Sequence, residues 1–580
     1  MTRRASIIAL LVVAGLVVLG LQSWSVAIER VERHVIAGIE QRFALRVTGL
    51  QRAEIAFLPM PRISLSQVAF TRLDGAVSGT AARLRVRARL LPLLAGTLSF
   101  DRIDLVSPVI DVAIDAAREG APNWLATPLT YLGGVASQGR IVMVAGSVFM
   151  RRGGAIATTL RDIDMVIDER TADEPIAMSG TLTWRGVATR LSLLWPVTGE
   201  RAPLSLTLNS ALVSARLDGV RSGATDPVVN GKLNVSARSA PEMLDWFGDP
   251  PRLAAALGAF TLAADAQIRP REISLSKLVL MLDDDRLDGA LKLGEPGSRW
   301  ALSGTLAGSS LDLGRLYARL DLPWERPAPD GATPLQFEDW TAHDLDLRVS
   351  VEAARAGGAR ISDVATYLLV QKGRFEAGVL RASAYGGAAK GRLLAVAAPA
   401  GVDVRLQAGL DRINLAQAGA HLPQLERATG TASLNLALEG AGRTAEEIVG
   451  ALSGKFGVAL RQGEIGGLAL LDILRRGERS PAAAARDWRQ GRTPFESATL
   501  NATVSGGVAT IAEAQMQGPA YRLALSGEAS LPRRWVALRG RLSPANDAVT
   551  IPLALSGPFG ALTLAPDLGA IQRGKTPLTR

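Results

Sequence analysis

The most specific chemical motif in this sequence lies near its C-terminus, where Gly569, Gly574, Lys575 and Thr576 fit the spacing of a phosphate-binding Walker A loop. Such a loop must open a helix, because the backbone amides at a helix N-terminus hold the phosphates. Pro577 and the end of the given sequence follow Thr576 directly. We therefore interpret the match as a coincidence of spacing.

A second candidate site is the acidic stretch LDDDRLDG, which contains Asp283, Asp284, Asp285 and Asp288. Carboxylates are ligands that calcium prefers, but this spacing is not that of an EF-hand loop. The stretch also leads into Asp288-Gly289, a dipeptide that is typical of hairpin turns. We expect a solvated turn and not a calcium site.

The histidines offer no catalytic arrangement either. His34, His343 and His421 are widely separated, and none belongs to an HExxH motif. The GxSxG and GxGxxG motifs of hydrolases and dinucleotide-binding proteins are also missing from the sequence. We therefore predict no catalytic residue, no metal, no cofactor and no enzymatic activity.

The composition is that of a large folded protein whose core is poor in aromatic residues. The 580 residues are 48% hydrophobic and only 5% aromatic, and none is cysteine. The formal net charge of +10 could suggest a nucleic-acid partner, but Arg alternates with Asp and Glu along the chain. This alternation indicates a solvated outer face, and no nucleic-acid-binding motif accompanies it.

The N-terminus carries a charge-free run from Ala5 to Ile28, preceded by Arg3 and Arg4. The run is long enough to cross a bilayer as a helix, and the preceding positive charge predicts a cytoplasmic N-terminus. A cleaved signal peptide is the alternative, because residues 25–27 (SVA) resemble a cleavage site. We favour a retained membrane anchor, whose apolar residues are Ile7, Leu10, Leu11, Val12, Val13, Leu16, Val17, Val18, Leu19 and Leu21.

Most of the remaining chain alternates apolar and polar residues with the period of a β-strand. In GVDVRLQAGLDRINL, for example, Val402, Val404 and Leu406 point to one side while Asp403 and Arg405 point to the other. The tetrapeptide ALSG recurs at 301–304, 451–454, 524–527 and 554–557, with AMSG at 177–180. We interpret it as one reused strand unit: the second residue faces inward, Ser faces outward, and Gly ends the strand or permits a bulge.

Turns and helices are predicted from local signals. Three dipeptides have the composition of hairpin turns: Asp74-Gly75, Asn230-Gly231 and Asp288-Gly289. Three segments predict short helices: PEMLDWFGDPPRLAAALG from Pro241, broken by Pro250-Pro251; TAEE from Thr444, which forms a capping box; and GGLALLDILRRGERS from Gly466. The predicted fold class is therefore mainly β with a few short helices.

A sheet with one apolar face must cover that face, and pattern alone leaves two solutions open. The face is buried in a compact sandwich, or it lines an elongated, curled antiparallel sheet that forms an open groove able to shield lipid chains. A membrane barrel is disfavoured, because five tyrosines are too few for aromatic girdles.

Several stretches in a fixed order resemble the AsmA-like proteins of Gram-negative envelopes. The N-terminal resemblance covers about residues 1–130 and includes FLPMPRISLSQVAF, ARLLPLLAGTLSFDRIDLVSPVIDVAID and EGAPNW. The C-terminal resemblance, about 335–567, includes HDLDLRVSVEAARAGGARISDVATYLLVQKGRFEAG, SAYGGAAKGRLL, GAGRTAEEIVGALSGKFGVALRQGEIGGLALLDIL and IPLALSGPFGALTLAPD. The predicted organisation is a cytoplasmic tip and anchor (1–28), an AsmA-like N-terminal region (29–130), a variable β-rich middle (131–334), an AsmA-like C-terminal region (335–567) and a tail (568–580).

The resemblance implies a single-pass inner-membrane protein whose body lies in the periplasm and forms a trough similar to that of bridge-like lipid transfer proteins. The implied function is phospholipid transport to the outer membrane and maintenance of that membrane. Its partners would be membrane phospholipids, the inner membrane and an outer-membrane protein. The alternative is a scaffold that assists outer-membrane protein assembly through exposed strand edges. We expect acyl chains to lie along inward rows represented by Val402, Val404, Leu406, Leu434, Leu436, Leu438, Leu523 and Leu525.

Overall fold

The predicted mainly β fold is confirmed. The computed structural model describes residues 45–58, 60–72, 77–88, 100–113, 139–152, 155–169, 175–196, 201–223, 227–248, 251–295, 299–320, 334–479, 491–545 and 550–567, together with positions 18, 21, 22, 24, 25 and 36. These residues form thirty strands joined by hairpins and a few short helices. The chain divides into two compact units, Met1–Gly248 with Ala259–Leu280 and Gly294–Ser298, and Asp249–Gly258 with Met281–Leu293 and Arg299–Arg580.

The first unit consists mainly of long antiparallel strands. Apart from the last residues of β15, its strands are β1 (Trp24–Ser25), β2 (Leu45–Gly49), β3 (Arg52–Ala56), β4 (Arg62–Arg72), β5 (Val77–Ala88), β6 (Phe100–Ala113), β7 (Gly139–Arg152), β8 (Ala155–Glu169), β9 (Ile176–Trp184), β10 (Val187–Trp195), β11 (Arg201–Ser210), β12 (Val213–Ser222), β13 (Val228–Ala237), β14 (Phe260–Arg269) and β15 (Glu272–Leu282).

Pairing in the first unit aligns one apolar residue from each of the strands β3–β14. Because side chains alternate along a strand, residues paired directly across a ladder lie on the same face. The resulting row is Ile55, Ile63, Val86, Ile103, Ile141, Ile167, Met178, Leu193, Leu206, Leu217, Leu233 and Ala264. Most of these side chains are buried, so the row forms much of this unit's core.

One helix, α1 (Ala240–Phe247), follows β13 and packs against Val213 and Ala237 of this unit. Ser239 caps the helix by accepting a hydrogen bond from the Glu242 amide at 3.3 Å. The helix buries its own Met243 and Trp246 side chains. A short 3₁₀ helix, Arg252–Ala256, follows in the second unit. The predicted helix from Pro241 and its interruption before Arg252 are therefore confirmed.

The second unit contains the remaining strands and helices. Its strands are β16 (Asp285–Gly294), β17 (Ala301–Asp312), β18 (Asp344–Ala356), β19 (Ala359–Gln371), β20 (Arg374–Ala384), β21 (Gly387–Ala398), β22 (Gly401–Asn414), β23 (Thr431–Gly442), β24 (Ser453–Gly466), β25 (Arg492–Ser505), β26 (Val508–Gly518), β27 (Tyr521–Ser530), β28 (Trp535–Pro544), β29 (Ile551–Pro558) and β30 (Thr563–Pro566). Its helices are α2 (Leu313–Arg319), α3 (Phe337–Trp340), α4 (Leu415–Gly419), α5 (Ala445–Gly450) and α6 (Leu470–Arg479), with a 3₁₀ turn at Pro423–Leu425.

Two of these helices were predicted from sequence. Thr444 caps α5 by accepting a hydrogen bond from the Glu447 amide at 3.1 Å, while Glu447 Oε2 accepts one from the Arg443 amide at 2.7 Å. This arrangement satisfies amides that would otherwise lack a partner at the helix start. The helical spacing after Gly466 is confirmed as α6.

The meander is interrupted by parallel pairs at β6–β7 in the first unit and β17–β18 in the second. A parallel pair cannot be joined by a tight hairpin, because the chain must return to the starting end of the sheet. The return between β17 and β18 carries α2 and α3. The predicted antiparallel sheet is therefore confirmed, with parallel pairs at these two crossovers.

Two of the predicted turn dipeptides are wrong. Asn230-Gly231 lies within β13 and Asp288-Gly289 lies within β16. A Cβ on Gly231 would meet the backbone of Asp218 and come within 2.7 Å of the Gly219 Cα. Glycine at this position therefore permits close approach of neighbouring strands, a role that composition alone does not distinguish from a turn.

The tetrapeptide ALSG behaves partly as expected. Met178, Leu525 and Leu555 lie on the buried side while the serines that follow them are exposed. Gly180 lies within β9 opposite an irregularity in β8, and Gly527 lies within β27 opposite a bulge in β26. These two glycines thus accommodate bulges inside strands, whereas Gly557 is the next-to-last residue of β29.

Several sequence predictions lie outside the described residues. These are the Walker-like tail, His34, Asp74-Gly75 and most of the predicted anchor, of which only Val18 and Leu21 are described. Within the described part of the chain, no helix combines the length and apolarity that a membrane crossing requires.

The strand-interior role of Gly231 predicts that Gly231→Ala lowers the free energy of unfolding by about 1–3 kcal/mol, because the new methyl group is forced against backbone. Chemical denaturation measures this change. Gly49→Ala is the matched control in the same unit, since its Cβ would meet only the Ala69 Cβ at an ordinary 3.6 Å. Equal effects of the two substitutions would contradict the assignment.

Candidate functional site

The second unit carries a continuous apolar face across most of its strands. Three rows of directly paired residues define this apolar face. The first row is Leu347, Leu368, Ala377, Leu393, Leu406 and Leu438; the second is Val379, Gly391, Ala408, Leu436, Phe456, Ala502 and Ile511; the third is Ala389, Leu410, Leu434, Val458, Leu500, Ala514, Leu525, Gly540 and Leu553.

Six of the eight residues proposed for the groove lie together on β22 and β23. Leu406 pairs with Leu438, and Leu436 pairs with Ala408 on one side and Phe456 on the other. Val404 is on the same side of β22, and Val402 at the start of that strand is buried. The sequence therefore places these side chains on one face, and the ladder brings them next to one another.

The β22–β23 part of this face is only partly covered. Leu406 is 37% exposed, and Leu410, Leu434, Leu436 and Leu438 are half-buried. A contiguous surface of apolar side chains that keep contact with water is typical of a binding site for an apolar ligand or partner. We take this part of the apolar face as the candidate site.

The other two proposed residues, Leu523 and Leu525, have different surroundings. Leu523 is 8% exposed and packs in a cluster with Leu470, Ile473 and Leu474 of α6; Leu525 lies at the margin of that cluster. They are on the same face as Leu436, but Leu523 is covered by α6 and Leu525 is half-buried beside it. Whether lipid reaches any of the eight positions remains a prediction.

Sequence reasoning overlooked several members of the face. Phe456, Val458 and Leu500 continue the rows beyond the proposed residues of β23. The signal was available, because GKFGVALRQG and SATLNATVSG have the same alternation as the segments that were chosen. The pairing register, which decides which residues adjoin, is not readable from one segment alone.

The opposite, polar side of the same strands bears a separate groove of about 870 Å³ that crosses β19–β26. Several strands each line the groove with three consecutive residues, of which the two outer ones point to the polar side. On β22, for example, these are Gln407 and Gly409, with Ala408 between them. Its charged lining residues are Lys390, Arg392 and Lys455. Because of this alternation, the groove belongs to the polar side and is not the candidate acyl-chain site.

A buried carboxylate stabilises the polar side near β20. Glu376 is 6% exposed and accepts hydrogen bonds from Tyr367 Oη at 2.7 Å, Arg374 Nη2 at 2.7 Å and Arg392 Nε at 2.8 Å. Burial by itself raises the pKa of Glu376, but these hydrogen bonds outweigh it and lower the pKa to about 2. Burial, followed by the bond to Glu376, raises the pKa of Tyr367.

The acidic stretch is only in part the solvated turn that was predicted. Asp284 is at the turn and exposed, but Asp285 is 2% exposed and accepts hydrogen bonds from Ser310 Oγ, the Asp312 amide and Arg315 Nη2 at 2.9–3.0 Å. A buried carboxylate requires such partners. They lie on β17 and α2, more than twenty residues along the chain, so the sequence around Asp285 does not predict them. Among the residues that the structure describes, no cluster of His, Asp and Glu is arranged to hold a metal.

Comparison with known proteins identifies one family. Residues 328–514 match the model of the AsmA family, a segment that contains β18–β25 and most of β26 and with them the candidate site. The match covers about a third of the chain and supports its assignment as AsmA-like. Searches of curated proteins and of solved structures give no significant match.

The match to the AsmA family suggests an envelope-associated function, and AsmA is not known as a family of enzymes. The predicted boundaries at 130, 334 and 567 are not tested by the match and stay predictions. The matched segment does coincide with much of the predicted C-terminal AsmA-like region, where the apolar face is most exposed.

The network around Glu376 predicts a pH-dependent stability. Its carboxylate has a lower pKa in the folded chain than the ordinary value, so its contribution is present above about pH 5 and is lost as pH falls towards 2. Glu376→Gln should lower the free energy of unfolding by about 3 kcal/mol at pH 7 and by progressively less below pH 5. Urea titrations at several pH values measure the difference.

Glu439→Gln is the control for that series. Glu439 pairs with Arg405 at 3.7 Å, but both side chains are more than half exposed. An exposed ion pair contributes about 0–1 kcal/mol, so this variant should differ little from the parent protein at any pH. A pH-independent loss in Glu376→Gln would show that the effect comes from packing and not from its charge.

Proposed function

We propose that this protein is an envelope protein that binds phospholipid acyl chains on the apolar face of its second unit and supports lipid transport from the inner to the outer membrane. The observation that carries the proposal is the half-exposed surface formed by Leu406, Leu410, Leu434, Leu436 and Leu438. A surface of this kind offers an acyl chain the same contacts along its whole length.

The energetics of such binding require no reactive residue. Burying a methylene group is favourable by about 0.8 kcal/mol, so an acyl chain of ordinary length can be held by continuous contact with apolar side chains. The rows run perpendicular to the strands, with about 4.8 Å between neighbours. A chain lying along a row would pass from one strand to the next while its head group stayed in water.

The proposed location is supported by the AsmA family match and by the N-terminal sequence. The charge-free run from Ala5 to Ile28 would anchor the chain in the inner membrane, and the two units would lie in the periplasm. Membrane phospholipids are then the ligand, and an outer-membrane protein is the partner. These assignments belong to the proposal.

A second candidate function is supported by the free edge of the last strand. Among the described strands, β30 pairs only with β29, through Leu553–Ser556. Such an edge can accept a strand from a client protein by β-augmentation. A scaffold of this kind would crosslink to client proteins and would not need lipid on the apolar face.

The lipid proposal predicts that Leu436→Asp slows phospholipid transfer between vesicles at least about tenfold, because a carboxylate on the apolar face must lose its hydration when an acyl chain covers it. Ala437→Asp places the same charge one residue further, on the polar side of β23, where Ala437 is exposed. This control should transfer lipid at the parent rate.

Fluorescence transfer assays with the full-length protein measure both rates, and circular dichroism checks that both variants keep their strands. Equal rates for Leu436→Asp and the parent would refute the site. Equal losses in the two variants would show that charge on either side matters and that the face is not selective.

A further inference from the structure

Helix α6 lies on the apolar face at its C-terminal part. Leu470, Ile473 and Leu474 are 1%, 0% and 6% exposed, and they pack with Leu542 of β28 and Leu553 of β29. On its outer side, Asp472 and Arg475 are exposed to solvent. The helix is therefore amphipathic and covers the sheet with its apolar side.

The surface beneath α6 belongs to the same rows as the open part of the face. The third row passes without a polar residue from Leu434 through Val458, Leu500 and Ala514 to Leu525. The chemical character of the sheet does not change along this row. Leu525 at the end of this row is half-buried, as Leu434 is, and the cover begins at Leu523, two residues away on the same side of β27, which is buried in the cluster with the helix.

The start of α6 is tied to β25. Thr493 is fully buried, and its hydroxyl donates to the Leu468 carbonyl at 2.6 Å and accepts from the Leu470 amide at 3.1 Å. Next to these bonds, Gly467 and Gly491 have φ angles of +82° and +131°, which glycine adopts without strain. The start of α6 is thus fixed by its hydrogen bonds to Thr493. Gly467 and Gly491 lie beside this point and can absorb a backbone rotation.

We propose that the surface beneath α6 is a further acyl-chain site, in which Leu470, Ile473 and Leu474 occupy the position of the lipid until α6 lifts about its tethered start. The inference rests on the proposed function and extends it from the open part of the face to the covered part. An acyl chain moving along the third row displaces α6 because both offer the sheet the same apolar contacts. The covered site takes the chain only when the helix is displaced.

The test uses vesicles that contain a phosphatidylethanolamine with a photoactivatable acyl chain. After irradiation, mass spectrometry maps the labelled peptides of the full-length protein. Ile473→Ser weakens the cover and should raise labelling of residues 521–525 and 551–555 about fivefold over the parent. Arg475→Ser changes the exposed side of the same helix and should leave labelling at the parent level.

A reversible lock tests the same step without relying on a destabilised helix. The chain has no native cysteine, so Ile473→Cys with Leu542→Cys introduces the only thiols, on two fully buried positions of one cluster. In the oxidised protein, isolated by its electrophoretic mobility, labelling of 521–525 and 551–555 should fall about fivefold below the reduced level and lipid transfer should slow. Reduction should restore both.

The outcomes separate this inference from the proposed function. Labelling of residues 434–438 in every variant, with no response at 521–525 to Ile473→Ser or to the lock, would overturn the covered site and leave the open one. Absence of labelling at both places would refute the proposed function itself. Labelling at 521–525 that rises equally in Arg475→Ser would show general loosening of the helix and would also overturn the inference.

Discussion

The structure depends on one constraint: in paired strands, residues directly across a ladder share a face. Once the register is set, every apolar residue at alternate positions adds to a surface that continues into the next strand. In the first unit this places Ile55 of β3 and Ala264 of β14 in one row. In the second unit it joins Leu436 to Phe456 and Leu434 to Val458. A shift of one residue in one of these pairs would place polar side chains such as Gln407 or Asn435 in the middle of this surface.

Both units align apolar residues in rows across paired strands, but the rows differ in how far they are buried. In the first, most members of the central row are buried, and the row serves as a core. In the second, the rows are half-exposed near β22 and β23 and become buried towards β27–β29, where α6 adds its own leucines and isoleucine. A core residue and a ligand-binding residue are therefore chemically identical here. They differ only in whether another segment of the chain packs over them, and this depends on the tertiary structure.

This distinction explains what the sequence could and could not reveal. Alternation predicted the strands and the shared face of Val404, Leu406 and Leu436 because both depend on a local period of two. Capping residues predicted α5 for the same reason, since Thr444 and Glu447 are three residues apart. Gly231 was misread as part of a turn, because a glycine that permits strand contact has the same composition as one that permits a turn. The position of α6 over Leu523 and the partners of Asp285 and Glu376 depend on distant segments, so one sequence did not predict them.

The central claim is that the apolar face holds lipid, and native mass spectrometry of the full-length protein extracted in mild detergent tests it most directly. Several phospholipid molecules per chain, identified by lipid extraction, are expected because the rows continue across many strands. A folded protein that is free of lipid would contradict the account, since it would mean that the half-exposed surface around Leu436 is covered by something other than acyl chains.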